Sequence, residues 1–377
     1  MHRIVIVGAG YAGMAAAMNL AGRVRGRDDV RITLVNASAR FTERLRLHQV
    51  AAGEQLADRR LPDLLRGTGI TLEIGWVTAV DAAAHSVRVD DARVLEYDTL
   101  VYALGGVADT STPGVADHAY VLDSDQDAQL LSARLRDAGT VVVCGSGLTG
   151  VEAAAEIATR HPAARVTLLG RSEPGAEIGP RARAYLQRSL TGMGVAFRSG
   201  ASITKVLPDG VELATGEVVP SGATLWTAGV RVSPLAAAAG LTTDSHGRIV
   251  TDEFLRSVSH PDVYAVGDAA AIRQSYGMMH GTCQSGMPTG VAAARSIARA
   301  IDGRPLKAFR FGYLHTPISL GRDDAVIQFA HRDHTPGRFV LTGRLATWYK
   351  ETVSSAPWPT FGRLFSSPAI GVLGWRR

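Results

Sequence analysis

Cysteine is scarce, with two thiols in 377 residues, Cys144 and Cys283, and no CxxC pair. That spacing argues against a dithiol redox centre and against a disulfide framework. Cys144 stands just ahead of a Gly-rich loop, where a small buried residue suffices, so packing is its expected role. Lysine is scarce as well: only Lys205, Lys307 and Lys350 among 40 basic residues, the rest being Arg, a bias that reads as genomic composition. No run of about 18 uninterrupted apolar residues occurs, so a spanning helix is not expected. The first residues enter a strand without a charged segment and a cleavable apolar stretch, so no secretory signal is evident. A reducing, cytoplasmic compartment is the default expectation. His331 and His334 lie three apart without further ligands, against the roughly four that a structural metal requires, so no metal is expected. No nucleic-acid partner is expected either. Composition is that of a globular chain, 46% hydrophobic and 20% charged, with length for two or three domains.

What is abundant is glycine, and it is placed. Ile4-Val5-Ile6-Val7 runs into Gly8-Ala9-Gly10-Tyr11-Ala12-Gly13, and Val141-Val142-Val143-Cys144 runs into Gly145-Ser146-Gly147-Leu148-Thr149-Gly150. Each apolar β-branched run predicts a strand, and each Gly loop opens an Ala-rich helical stretch. In a GxGxxG loop the first Gly permits the tight turn. The second lets the backbone approach a pyrophosphate, and the third allows close strand–helix packing. The phosphates then meet free N–H groups and the positive end of the helix dipole. Two such loops in strand–helix context predict two dinucleotide sites.

The residue ending the following strand reads the ribose. A carboxylate there bonds an unphosphorylated 2′-hydroxyl. The first unit has Asn36, able to bond ribose hydroxyls as donor and acceptor. The second has Gly170-Arg171-Ser172, which lacks the carboxylate that would repel a 2′-phosphate and offers a guanidinium and a hydroxyl. NADPH is favoured over NADH on this reading. The alternative is that Arg171 is a surface residue and NADH is accepted.

The repeat continues. Arg31–Asn36 corresponds to Arg165–Gly170, and Tyr97–Gly105 to Ala223–Gly229, both ending in small-residue turns. Pro261–Asp268 then reads as a strand ending in Gly267-Asp268, followed by a helical stretch over 291–300. The expected fold is α/β with two Rossmann-like dinucleotide-binding domains, the second inserted in the first. The expected boundaries are 1–112 with 245–305 for the first domain and 113–244 for the second. A smaller C-terminal α+β region takes 306–377.

With these stretches, together with Gly150-Val151-Glu152, Trp226-Thr227-Ala228-Gly229 and Leu45–Gly53, the chain resembles two-dinucleotide-domain flavoproteins of the glutathione-reductase type. It is most similar to their type II NADH dehydrogenase-like group. The resemblance covers about residues 1–305. It implies FAD in the first domain and NADPH or NADH in the second. Flavin-facing positions would be Gly8, Ala9, Gly10, Tyr11, Ala12, Gly13, Asn36, Ala37, Arg44, Ala103, Leu104, Gly105 and Gly267. Val77 would lie near the adenine and Asp268 on the ribityl chain. Nicotinamide-nucleotide positions would be Gly145, Gly147, Leu148, Thr149, Gly150, Arg171, Ser172, Ala228 and Gly229. Glu152 would lie by the nicotinamide. Gly281–Gln284 would start a helix aimed at the flavin pyrimidine, where a helix N-terminus stabilises negative charge. Glu152 and Gln284 are the candidates nearest the chemistry. His48 and His280 could approach the flavin, or be ordinary surface or core histidines. The group's Gln-Gln pair, one turn after the position of Gln284, is here Pro288-Thr289, a departure that bears on quinone reduction.

The electron acceptor stays open between a quinone-like molecule and a small organic substrate or carrier protein such as a ferredoxin. A slow-turnover flavin-binding signalling protein is a third reading. Residues 304–377 hold nine Arg and two Lys against four acids, which points to an anionic partner or to a solvated basic face. Phe361, Leu364, Phe365, Ile370, Leu373 and Trp375 among Arg363, Arg376 and Arg377 could lie on anionic lipid, making the protein peripheral to a membrane. They could equally cover the flavin or form a homodimer interface.

Overall fold

A computed structural model describes residues 1–369, apart from the Cys283 side chain. The first unit runs β1 (His2–Val7), α1 (Tyr11–Arg23), β2 (Val30–Asn36), β3 (Ile70–Ile74) and β4 (Thr99–Tyr102). The second runs β5 (Thr140–Cys144), α2 (Leu148–Arg160), β6 (Arg165–Leu169), β7 (Ala196–Arg198) and β8 (Ala223–Trp226). The chain then returns with β9 (Val263–Ala265) and α3 (Cys283–Ile301). It ends in β10 (His315–Ser319), β11 (Ala325–Ala330), β12 (Pro336–Thr342), α4 (Gly343–Ser355) and α5 (Pro357–Ser366).

The two parallel sheets have one topology. The first is ordered β9-β4-β1-β2-β3 and the second β8-β5-β6-β7. Thus β4 and β8, matched by the internal repeat, flank equivalent strands. Strand β9 joins the first sheet only after the second is complete, so the second unit is inserted in the first. Ile4–Val7 and Val141–Cys144 are almost wholly buried, because sheets covered on both faces need apolar side chains on both. A short antiparallel ribbon, Gly106–Ala108 with Val230–Val232, connects the two units. The C-terminal piece is a three-stranded antiparallel sheet, β10-β11-β12, carrying α4 and α5.

Helices meet at backbone distance around α1. A Cβ on Gly290 of α3 would lie 2.1 Å from the Ala12 carbonyl, and one on Gly22 of α1 would lie 2.4 Å from the Phe365 carbonyl. Helix α5 therefore packs inward. Phe361 and Leu364 are 0% and 2% exposed, and Phe41 meets Phe361 and Tyr11 edge-on and Trp358 at a tilt. This corrects the lipid-facing expectation: Phe361 and Leu364 belong to the first unit's core. Ile370, Leu373, Trp375, Arg376 and Arg377 lie outside the described residues. Asn19 of α1 donates to the Leu364 carbonyl of α5, Asn19 and Arg23 donate to the Pro368 carbonyl just beyond it, and Arg25, just after α1, donates to that of Phe365, so α1 and the turn after it hold the end of α5.

The same closeness defines each βα turn. A Cβ on Gly13 would sit 1.8 Å from the Gly8 carbonyl, and one on Gly150 would sit 1.8 Å from that of Gly145. Neither neighbour is a flexible side chain, so the helix itself must move. Gly13→Ala is expected to lose bound flavin and to unfold at lower urea, while Gly150→Ala keeps flavin and loses its reduction by nicotinamide. Absorbance of the purified variants, with and without NADPH or NADH, checks both.

Candidate functional site

Both Gly loops lie at the carboxyl ends of their parallel strands, where ligands bind in such sheets. Gly8 and Gly145 make the turn at φ +96° and +116°. The central glycines differ from their neighbours: a Cβ on Gly10 or Gly147 would meet nothing within 4 Å. Each caps its helix in extended conformation without a side-chain cap. The first N–H groups of α1 and α2 are thus left for an outside acceptor, which fits a pyrophosphate at each loop. A cleft of about 560 Å³ lined by His2, Asp98 and Thr99 lies at the opposite, amino ends of the first sheet and is away from both loops.

The ribose-end residues have further duties. Asn36 accepts from the Ala9 N–H at 2.9 Å and donates to the Ser38 carbonyl. Its amide therefore holds the first loop, with Ala37 exposed beside it. Gly170 is required sterically, since a Cβ there would lie 2.1 Å from Ser146 Oγ, which donates to the Ser172 carbonyl at 2.7 Å. Any carboxylate at position 170 would collide with the loop. Arg171 and Ser172 are exposed next to it, and no ion-pair partner faces Arg171 among the described residues.

The flavin-side positions converge. Ala103, Leu104 and Gly105 end β4 against the first turn, the Ala103 carbonyl facing Gly8. Gly267 and Asp268 follow β9 in a short turn whose Gly267 N–H is held by Thr289 Oγ1 at 3.0 Å. Thr289 is therefore spent on this turn. Asp268 is half-buried and makes no hydrogen bond to the described residues. It faces Gly281 closely enough that a Cβ there would lie 2.5 Å from its Oδ1. Burial pushes its carboxyl above the usual range, partly opposed by Arg44. Such an unsatisfied carboxylate fits hydroxyl donors of a ribityl chain. Arg44 donates to the Gly106 carbonyl and pairs with Asp123 at 3.0 Å. Val77 is half-buried in a separate strand, Val77–Asp81, paired with Ser86–Val89. Ala228 and Gly229 follow β8, with Gly229 packed over Asp109.

Helix α3 begins with a capping box between Thr282 and Ser285. Gln284 is committed: its Oε1 accepts from the Leu314 N–H at 3.2 Å and its Nε2 donates to the His315 carbonyl at 3.4 Å. It staples α3 to β10. The exposed His280 adjoins Tyr313, whose ring stacks on His334 at 4.4 Å.

Glu152 lies at the centre of a buried polar cluster that joins all three pieces. Its Oε1 is 2.7 Å from Lys350 Nζ and accepts from the Ser319 N–H at 2.9 Å and the Ser319 hydroxyl at 3.2 Å. Ser319 Oγ also meets His48 Nε2 at 3.4 Å, and Lys350 donates to the Pro317 carbonyl. Lys350 is 5% and His48 3% exposed. Burial alone would raise the Glu152 pKa, but the ammonium of Lys350 and the bonds it receives hold it below the ordinary value. Burial drives His48 down to about 4, although Glu152 opposes this, so the imidazole is neutral at pH 7. Lys350, Ser319 and the placement of His48 were not read from the sequence. The sequence carries no signal for them; the structure places Lys350 in a buried stripe of α4 with Ala346 and Ser354.

Cys144 is fully buried and its thiol is pushed up to about 12 by desolvation, which leaves it inert at neutral pH. No helix among the described residues is long and apolar enough to cross a membrane.

His48 makes a pH-dependent contribution. Its folded pKa lies below the unfolded value, so the unfolded chain binds more protons and stability falls as pH drops from about 6.5 towards 4. His48→Gln should remove roughly 2–3 kcal/mol of that fall, seen as a smaller loss of urea stability between about pH 7 and pH 4.5 than in wild type.

The model of the pyridine nucleotide-disulphide oxidoreductase family matches residues 2–296. An NADH dehydrogenase-like protein of Mycobacterium tuberculosis is 31% identical over 86% of this chain and 87% of its own. A demethylphylloquinone reductase of Synechocystis is 28% identical over 95% and 96%. Among solved structures, the sulfide:quinone oxidoreductase of Aquifex aeolicus superposes with a TM-score of 0.83 at 18% identity, covering 98% of this chain and 94% of that one. With two open Gly cradles, an unsatisfied Asp268 and these relatives, the chain belongs to the pyridine nucleotide-disulphide oxidoreductase family, in its NADH dehydrogenase-like group, and is an FAD-dependent NAD(P)H oxidoreductase.

Proposed function

We propose that the protein takes a hydride from NAD(P)H, NADPH being favoured, and reduces a quinone-like acceptor. The observation that carries the acceptor reading is the buried Glu152–Lys350 pair with Ser319 and His48. A quinone needs two protons as well as two electrons. A one-electron carrier needs none. An acid–base cluster sealed between the nicotinamide-side helix and the C-terminal helix suits the first acceptor. The demethylphylloquinone reductase relative supports the same reading.

When bound, FAD supplies the hydride-accepting ring. The chain's own residues then bind, orient and exclude water. The α1 and α2 amino termini would hold the two pyrophosphates, and Asp268 would fix the ribityl chain. Residues Ala103–Gly105 and Ala228–Gly229 form the facing loop ends. Gln284 fixes α3 on β10, so the helix amino terminus points at a defined place. Lys350 Nζ pairs with Glu152, which stays ionised, and His48 is neutral.

For the nucleotide, the exposed Arg171 and Ser172 with a side-chain-free position 170 favour a 2′-phosphate. A soluble reductase acting on a small molecule or an acidic carrier is the second reading. It is favoured by the commitment of Gln284 and Thr289 to backbone partners, which removes both from an acceptor site. Contact with a membrane surface, if the acceptor is lipid-borne, falls to α4 and β12. Phe339, Leu345 and Trp348 are 78%, 60% and 66% exposed there, near Arg338 and Arg344.

Anaerobic titration with NADPH and NADH, followed by a menaquinone analogue or a ferredoxin, tests the reading. Reoxidation by the quinone and not by the ferredoxin is expected; the reverse overturns it. Arg171→Ala should raise KM for NADPH about tenfold, ~1.4 kcal/mol, with KM for NADH nearly unchanged. Faster flavin reduction by NADH than by NADPH in wild type would remove the nucleotide preference.

A further inference from the structure

Glu156 lies one helical turn beyond Glu152 on α2. It is 0% exposed, and both carboxyl oxygens lack a hydrogen-bond partner. Residues four apart share a helix face, with Cβ atoms about 5–6 Å apart. Both carboxylates therefore lie on one buried face of α2. The nearest cation is Arg160 on the same helix, whose Nε lies 3.7 Å from Glu156 Oε1, within an ion pair's reach but too far for a hydrogen bond.

Three charged groups face Glu156. From its own helix comes Arg160, 45% exposed. The loop after Leu47–Ala51 contributes Glu54, 3.5 Å from Arg160 and 23% exposed. The turn between β10 and β11 contributes Arg322, also 3.5 Å from Glu54. On the inner side, the cluster continues through Glu152 to Lys350 and His48. Titratable groups thus lie in order from the solvent-facing Arg160 and Glu54, through Glu156, to Glu152 one turn away on the same helix, and both Glu156 carboxyl oxygens lack a hydrogen-bond partner. Burial pushes its pKa up to about 7, with Arg322 opposing and Glu54 adding to the rise.

The reaction requires such a passage whichever acceptor is used. With a two-electron, two-proton acceptor A, NAD(P)H + H⁺ + A gives NAD(P)⁺ + AH₂, and one proton enters. With two one-electron carriers, NAD(P)H gives NAD(P)⁺ and H⁺ while each carrier gains one electron, and one proton leaves. We propose that Glu156 carries this proton between the Glu152–Lys350 pair and solvent at the Arg160–Glu54 rim. The proton binds one carboxyl oxygen of Glu156 and leaves from it, so no net charge stays on the residue after a turnover. Glu156 acts through Glu152 and is a positioning residue for the proton. The inference rests on FAD-dependent NAD(P)H oxidation and not on the quinone reading.

Infrared difference spectra of the resting flavin-loaded protein test it first. The wild-type minus E156Q spectrum should show a carboxylic-acid C=O band at about pH 6 that vanishes by about pH 8.5. Turnover is then followed with a water-soluble benzoquinone and separately with ferricyanide. E156Q is expected to lower kcat about tenfold at pH 8, to abolish the inflection near pH 7 and to leave KM for the nucleotide unchanged. E156D should restore part of the rate. E54Q, which removes a like charge, should move both the band and the inflection to lower pH, and it keeps the test available if E156Q does not fold. An absent band, or E156Q and E54Q profiles that superimpose on wild type, overturns the proposal. Failure of the benzoquinone alone removes the quinone reading, while the ferricyanide and infrared arms still decide the role of Glu156.

Discussion

The fold depends on two helices starting where no side chain fits. In each βα turn the third glycine lies against the carbonyl of the first at a distance closed to any Cβ. That contact sets the helix axis and directs its free N–H groups into the open space above the central glycine. Both sheets repeat the arrangement with one strand order. The loop ends proposed to hold a nucleotide are placed relative to these two backbone contacts. The cost is conformational, since glycine in a helix loses about 1 kcal/mol against alanine, and burial of the Ala-rich faces offsets it.

Electrostatics fastens the third piece to the other two. Glu152 enters the interior because its position follows from the second turn, and a buried carboxylate demands a partner. The partner comes from α4, nearly 200 positions later in the chain, with Ser319 and His48 completing the set. Helix α4 accordingly inverts the usual pattern: it buries Ala346, Lys350 and Ser354 and exposes Leu345 and Trp348. Its outer apolar residues are exposed, while its inner face serves charge pairing.

Much of the fold was legible because its signals are local. GxGxxG after a β-branched run, the matching strand that follows, and Gly-Asp after β9 each specify a turn within ten residues. Asn36 and Gly170 were legible as strand ends, but their contacts were not. Asn36 holds the Ala9 N–H, and Gly170 makes room for Ser146, facts that depend on the returning loop. Lys350 escaped because amphipathic reading assigns lysine to the outside. For Phe361 and Leu364 the sequence leaves a lipid surface, the flavin and a dimer interface open, since a short amphipathic helix does not declare which neighbour it covers. Glu156 sat in plain view, four residues after Glu152 in an Ala-rich helix, where two acids on one buried face conflict with the surrounding pattern.

The packing of α1 has a consequence for biosynthesis. One face of this helix is covered by α3, and another by α5, whose carbonyls it caps across 345 positions of sequence. A ribosome emitting residues at roughly 5–20 per second leaves those Ala- and Met-rich surfaces uncovered for most of translation. The nascent first unit therefore waits on its own distant segments, whereas the inserted second unit draws its four strands from one contiguous stretch. Local contacts form fastest, and the inserted unit's sheet is the one that needs no distant strand to complete it.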